Sequence, residues 1–535
     1  MSVSVDSEST DRFQFAGQDI PWLLDHWAAA KPDHPLLVWV PRGAEPQRWS
    51  YREFNEQVGR VAAGLHARGV GKGDKVLIHA DNCPEMVFAW YACAKLGAVG
   101  VTTNTRSVGA EIQYFAEHTG CVGAVTQPKF AAMITEHAPK LGWIVVTDDN
   151  GGEAPPEEQL GHGQDSFDTL LGDPATLPER SPEPMLPAGI VFTSGTTSRP
   201  KAVVHTHANA LWSGRIGSRN IDMTGDDTYL IYLPFFHVNA QSWSFWAALG
   251  VGATLVLQPR FSASRFWEVI LEHEITHISL IPFVFKAIAA QPVPEHKLKA
   301  GVFGLVMPDL EAWLKLRVVP AFGMTETVTQ CICADAWQAY PNLSMGKPTP
   351  GYECLIVDPD SGALCEEGEI GELWVRGTRG IQLFLEYYDN KEAMEKSFTP
   401  EGWFKTGDMV RLGEAGNLFY CDRDKDALKV GGENVSAREI EDMCRQAGGI
   451  GDIAVVAKSH DMLDMVPVAF VIRGLGAPES EDEHAASIIE QCKTNLADFK
   501  VPRAVYFVEE FPTATLEKVA KNRLREMADE MPAVD

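Results

Sequence analysis

Residues 191–204 read VFTSGTTSRPKAVV, an apolar run that enters a loop of small hydroxylated residues and ends at Pro200 and Lys201. Such a loop can wrap phosphate oxygens with hydroxyls and free backbone N–H groups while the lysine supplies charge. It lacks the glycine directly before Lys and Ser or Thr that a Walker loop requires. An ordinary turn has the same composition, so the segment alone leaves both readings open. Residues 233–239, LPFFHVN, set His237 behind two aromatics, where a packed histidine and a reactive one look alike. In AFGMTET, residues 321–327, Thr325 and Glu326 lie just past a glycine turn. A carboxylate there can hold Mg²⁺ against a phosphate, or simply favour a helix N-terminus.

Three further segments carry polar chemistry. GWFKTGD at 402–408 places Asp408 after a glycine, suited to accepting hydrogen bonds from a ribose diol, although many such acids only form turns. DRDKDALKVGGENVSAREIE at 422–441 crowds Arg423, Lys425, Asp426 and Lys429 before Gly431 and Gly432. That is either a solvated charged turn or a place where backbone approaches a ligand closely. FPTATLEKVAKNRLR at 511–525 offers Lys518 among several lysines near a helix start.

Elements of alternating type must position these segments. Ser50 with Glu53 forms a capping-box start, and Tyr51, Phe54, Val58, Val61 and Leu65 recur at helical spacing until Gly69. A strand at 76–79, a helix at 84–96 and a strand at 98–103 follow. The alternation returns as strand 253–257, helix 264–273 and strand 277–281. This pattern predicts parallel βαβ units in a layered α/β fold. The Gly-, Pro- and acid-rich stretch 148–187 predicts a surface excursion between two subdomains. From Gly351 the short runs 353–358, 371–376 and 416–420 predict a small antiparallel β-subdomain. The charged segment near Asp422 resembles a hinge, with a small α+β domain beyond it.

The 535 residues carry 73 acids against 46 Lys and Arg, a net charge of −27 that disfavours nucleic acid and anionic lipid. Ten cysteines show no CxxC pair and no zinc-finger spacing, as expected of reduced thiols in a cytosol. No apolar run approaches the length of a spanning helix, and the polar, acidic first residues lack the form of a secretory signal. A cytoplasmic protein acting on small molecules is expected, with a homodimer left open.

In their order and spacing these motifs resemble the adenylate-forming superfamily of acyl-CoA synthetases, adenylation domains and luciferases, over about residues 22–525. The 422–441 segment looks closest to crotonobetaine/carnitine-CoA ligases. The resemblance implies an acyl-CoA ligase using ATP, Mg²⁺ and coenzyme A on a carboxylic acid. It implies an N-terminal domain over 1–424 and a mobile C-terminal domain over 425–535. By the same matching, Thr193, Ser194, Gly195, Thr196, Thr197 and Lys201 would form the phosphate loop, with Thr325 contacting phosphate. Thr196 and Glu326 would hold Mg²⁺, while Gly304, Phe322 and Gly323 would flank adenine. Asp408 and Arg423 would bind ribose, Lys425 would be the hinge, and Lys518 would be the adenylation lysine. His237 would lie on the acyl and pantetheine channel, and Lys429, Gly431 and Gly432 on the thioester-forming surface. Ser198, Ala202 and Glu517 stand where relatives usually have glycine, which narrows backbone freedom. The competing expectations are a catalytically altered nucleotide- or acyl-binding regulator and a stand-alone adenylating enzyme with another acceptor. An aromatic region around Trp212, Trp243 and Trp246 would suit a medium-chain or steroid-like acid, or a trimethylammonium group, or would simply be core.

Overall fold

Ser50 and Glu53 start the helix Tyr51–Ala67 as a reciprocal cap. The Glu53 carboxylate accepts the Ser50 N–H at 2.8 Å and the Ser50 hydroxyl accepts the Glu53 N–H at 3.3 Å. The next helix, Pro84–Leu96, opens on proline and closes at Gly97, whose φ of 69° gives the left-handed cap that glycine adopts without strain. The computed structural model describes residues 7–148, 151, 160–193, 199–335, 338–359, 361–423, 427–431, 433–512 and 521–534.

Strands of this region form three sheets. In the eight-stranded sheet the order is Glu386–Tyr387, Lys201–Thr206, Pro187–Thr193, Val99–Thr102, Lys75–His79, Gly123–Thr126, Ile144–Val146 and Gln164–Ser166. Pairing is parallel from Pro187–Thr193 onward and antiparallel at the two strands before it. The stretch after residue 148 therefore does not link two subdomains. It adds Gln164–Ser166 to one edge of this sheet and returns to an inner strand of the same sheet.

A thirteen-stranded sheet carries the other half of the large N-terminal domain. Its parallel part runs Pro35–Trp39, Thr254–Leu257, Thr228–Ile231, His277–Ser279, Ala300–Phe303 and Arg317–Phe322. Beyond Phe322 the pairing turns antiparallel and ends in Leu418–Arg423, Phe404–Leu412, Ile370–Arg376 and Glu353–Val357. The expected antiparallel strands are present, but as a continuation of the parallel sheet. The small C-terminal domain is a five-stranded sheet that includes Ala427–Val430 and Glu433–Ser436, covered by helices Ala437–Arg445, Glu481–Asn495 and Lys521–Glu530.

Buried apolar clusters divide along the same line. One joins the two N-terminal sheets through residues such as Trp90, Tyr91, Phe245 and Trp246, and those centred on Leu428 and Val456 hold C-terminal residues only. No helix among the described residues is long and apolar enough to cross a membrane.

Candidate adenylate and acyl-transfer site

The site residues gather where strands end. Thr193 closes the strand Pro187–Thr193 and pairs in register with Lys201, which opens the returning strand, so both flank the mouth of the hydroxyl-rich loop. The Thr193 hydroxyl is buried and has no hydrogen-bond partner among the described residues, as a group awaiting a ligand would be. Ser194, Gly195, Thr196, Thr197 and Ser198 lie outside the described residues. Ala202 is buried with an ordinary strand conformation, its neighbour across the pair being Phe192. Replacing glycine there costs the backbone nothing.

Across the second sheet, Gly304 follows the strand Ala300–Phe303 and Phe322 ends the strand Arg317–Phe322. Space around the Gly304 Cα is open, whereas a side chain at Gly323 would strike the Thr329 carbonyl and the Trp243 ring. Thr325 and Glu326 sit in the short 3₁₀ turn that follows. The Thr325 carbonyl is 2.8 Å from His205 Nε2, and buried Glu326 accepts the Tyr387 hydroxyl at 2.8 Å. Lys201 Nζ lies 4.6 Å from the centre of the same Tyr387 ring.

Asp408, 2% exposed, pairs in register with Arg423 on the neighbouring strand and accepts the Tyr420 hydroxyl at 3.3 Å. The Tyr420 ring packs 6.4 Å from Phe322, which joins the expected ribose and adenine groups through one side chain.

His237 precedes a π-helix, Asn239–Trp246, a rare geometry that often marks functional sites. Its Nε2 is 2.9 Å from Glu433 Oε2 of the C-terminal domain. Burial alone would lower the imidazole pKa, but the Glu433 charge and hydrogen bond raise it above its ordinary value. For Glu433, burial pushes upward while His237 and Arg106 pull the carboxyl lower, and the lowering prevails. Both directions describe a charged pair. Glu433 follows the hairpin turn in which Lys429 pairs with Asn434 and Gly431 takes φ 56°, its N–H held by the Leu463 carbonyl at 2.9 Å.

Other contacts hold the domains in this arrangement. Lys500 is buried between Glu439 of its own domain, at 3.0 Å, and Glu111 of the N-terminal domain, at 2.6 Å. Arg106 and Asp498 form a more exposed bidentate pair, and Lys286 meets Asp464.

Lys425, Gly432, Glu517 and Lys518 lie outside the described residues, as do the side chains of Arg423 and Lys429. Lys521 binds Glu441 at 2.8 Å within the C-terminal domain. The three tryptophans belong to one buried apolar cluster, where Trp212 binds Tyr352, Trp246 packs on Trp90 and His205, and Trp243 lies against Gly323. Tyr387, Tyr420 and Glu433 were not legible as site residues, for nothing in their local spacing separates them from other tyrosines and acids.

Candidate site residues gathered at strand ends of a large domain, with a small domain set against it, define a class. The AMP-binding enzyme model matches residues 24–388 and the AMP-binding enzyme C-terminal domain model matches 439–518. The chain belongs to the AMP-binding enzyme family. It is 34% identical to a crotonobetaine/carnitine–CoA ligase of Proteus mirabilis, over 95% of this chain and 99% of that one. It is similar to the o-succinylbenzoate CoA synthetase of Bacillus subtilis in two states. The double mutant bound with its product analogue OSB-NCoA superposes with a TM-score of 0.80, at 26% identity over 94% of this chain and 98% of that one. The complex with ATP and magnesium gives 0.66, at 27% identity over the same shares.

Proposed function

We propose that this chain is an acid–thiol ligase that activates a carboxylic acid with ATP and passes the acyl group to coenzyme A. In the first step a carboxylate oxygen attacks the α-phosphate, forming acyl-AMP and releasing pyrophosphate. In the second, the coenzyme A sulfur attacks the acyl carbon, and AMP leaves with the electron pair of the C–O bond. Thr193 to Lys201 and Thr325 serve the phosphates, Asp408 and Arg423 the ribose, and Gly304, Phe322 and Gly323 the adenine. Lys518 meets the reacting carboxylate.

Glu326, with Thr196, is the protein's share of a Mg²⁺ site. The fit is chemical: the buried Glu326 carboxylate, and the Thr193 hydroxyl that has no hydrogen-bond partner among the described residues, offer hard oxygen donors. Among the described residues no group of three His, Cys, Asp or Glu could hold a metal, so most ligands would come from the nucleotide and water. When bound, the ion offsets negative charge on phosphoryl oxygens.

The contact between His237 and Glu433 carries the reading. It sets Glu433 of the small domain against the histidine expected on the acyl channel, on the side where the resemblance puts the thioester-forming surface. The higher TM-score with the product-analogue complex than with the ATP complex supports this as the thioester-forming arrangement. In the adenylating arrangement the domain 425–535 turns about Lys425 and brings Lys518 in, while Lys429, Gly431 and Gly432 withdraw. We assign the enzyme to the cytoplasm.

The test is pyrophosphate release and thioester mass with a panel of crotonobetaine, carnitine, medium-chain and steroid-side-chain acids. ATP- and coenzyme A-dependent thioester from one of them is the expected result. Nucleotide binding without pyrophosphate release from any acid would instead identify a regulator.

A further inference from the structure

Glu326 is gripped twice by one segment distant in sequence. Its backbone carbonyl accepts the Phe384 N–H at 2.9 Å and its carboxylate accepts the Tyr387 hydroxyl at 2.8 Å. Tyr387 belongs to the two-residue strand Glu386–Tyr387, paired with Val203 and Val204 of the strand that Lys201 opens. Its position is fixed by packing: the side chain is 3% exposed, its ring centre lies 4.7 Å from that of Phe384, and its N–H points to the Met394 sulfur at 3.2 Å. The face of the ring carries the Lys201 ammonium at 4.6 Å and the hydroxyl at its edge carries the Glu326 carboxylate.

We propose that Tyr387 is a positioning residue for the nucleotide–metal complex, holding the Glu326 carboxylate and the Lys201 ammonium in fixed relation so that both act on one triphosphate. This rests on the reading of Glu326 as the metal-holding acid. A phenol donating to a carboxylate makes a charge-assisted hydrogen bond that fixes the rotamer of the acid while leaving its other oxygen for a cation. The ring meanwhile gives the lysine a favourable site that is not a second anion.

Tyr387→Phe separates the two contacts, for it keeps the ring over Lys201 and against Phe384 but removes the hydroxyl. The probe is Mn²⁺, titrated by electron paramagnetic resonance into full-length enzyme with a non-hydrolysable ATP analogue. Mn²⁺ affinity should weaken about tenfold, the scale of one hydrogen bond to a charged group. The Mg²⁺ concentration needed for half-maximal adenylation should rise in step. Conversion of supplied acyl-adenylate and coenzyme A to thioester is the reference rate. Unchanged Mn²⁺ affinity in Tyr387→Phe would overturn the proposal, as would an equal loss in both half-reactions, which marks a merely structural tyrosine. Glu326→Gln in the same titration separates the two levels of inference. If it binds Mn²⁺ normally, the metal reading itself fails; if it loses Mn²⁺ while Tyr387→Phe does not, only the role of Tyr387 fails.

Discussion

The nucleotide side of the site and the seam between the domains are built from different interactions. Around Glu326 and Asp408 the groups are buried at strand ends and held by neutral hydroxyls, those of Tyr387 and Tyr420, inside one continuous apolar domain. The seam is held by charge: His237 with Glu433, Lys500 with Glu111, Arg106 with Asp498 and Lys286 with Asp464. The apolar clusters of the described residues stop at it. Separating apolar surfaces exposes them to water, whereas charged groups regain hydration when parted. That difference is what the proposed alternation needs, a first region that persists and a second that can be released and formed again.

The largest expected effect comes from removing a charge on the persistent side. Glu326→Gln should slow adenylation by about a hundredfold or more, the scale for losing one group that offsets transition-state charge. Pyrophosphate release measures it, with an unchanged melting temperature showing that the fold survives. Full activity at ordinary Mg²⁺ would remove Glu326 from the metal site.

On the seam, Lys500→Met should be the most severe change, because it leaves Glu111 and Glu439 buried without a cation. Breaking a buried pair in this way costs on the order of 3 kcal/mol. Burial and the charge of Glu111 already hold the Glu439 carboxyl above its usual range despite Lys500. Glu111→Gln is the cleaner probe, since Lys500 keeps Glu439 inside the C-terminal domain. Thioester formation from supplied acyl-adenylate should fall about tenfold with adenylation spared, the loss of one hydrogen bond to a charged group. Equal effects on both half-reactions would show that this contact does not discriminate between arrangements.

A smaller effect should follow pH. The pKa of His237 is raised above 6.5 in the folded protein, so its share of the seam is complete below that value and lost as pH climbs through the raised one. Glu433 lies below its ordinary 4.5, so its share is present above 4.5 and lost as pH falls through the lowered value. The thioester half-reaction should therefore decline on the alkaline side of pH 6.5, and Glu433→Gln should move that decline to lower pH. Pre-steady-state rates between pH 5.5 and 9, a range chosen to bracket His, would test this. An alkaline limb unmoved by Glu433→Gln would assign it to another group.

The exposed Arg106–Asp498 pair should matter least. Arg106→Ala should change thioester formation by no more than about fivefold, as surface pairs contribute up to about 1 kcal/mol. The difference from the native rate should vanish in high salt. A large, salt-independent loss would mean that Arg106 acts on Glu433 rather than as a surface tether.

What the sequence made legible was local. The cap at Ser50, the βαβ alternation and the strand ends carrying Thr193, Phe322 and Glu326 all follow from periodicity and turn chemistry within a few residues. Tyr387 reaches Glu326 across 61 positions and Glu433 reaches His237 across 196, and no spacing rule connects partners so far apart. Gln164–Ser166 escaped notice for a related reason, since a three-residue edge strand shows too little alternation to stand out from its loop. Ala202 teaches the converse. Its departure from glycine looked restrictive in sequence, and in the fold it is an ordinary strand position.

The two-residue strand Glu386–Tyr387 has a consequence for how the chain is made. It covers the outer edge of Lys201–Thr206, a strand synthesised about 180 residues earlier whose Val203 and Val204 are buried in the finished sheet. At typical ribosomal speeds that interval is roughly ten to forty seconds. During it the nascent sheet has an unpaired apolar margin, the kind of edge that joins other chains. Tyr387 closes that edge in the same step that brings its hydroxyl to Glu326, so fixing of the acid proposed to hold the metal and protection from aggregation fall at one moment of biosynthesis.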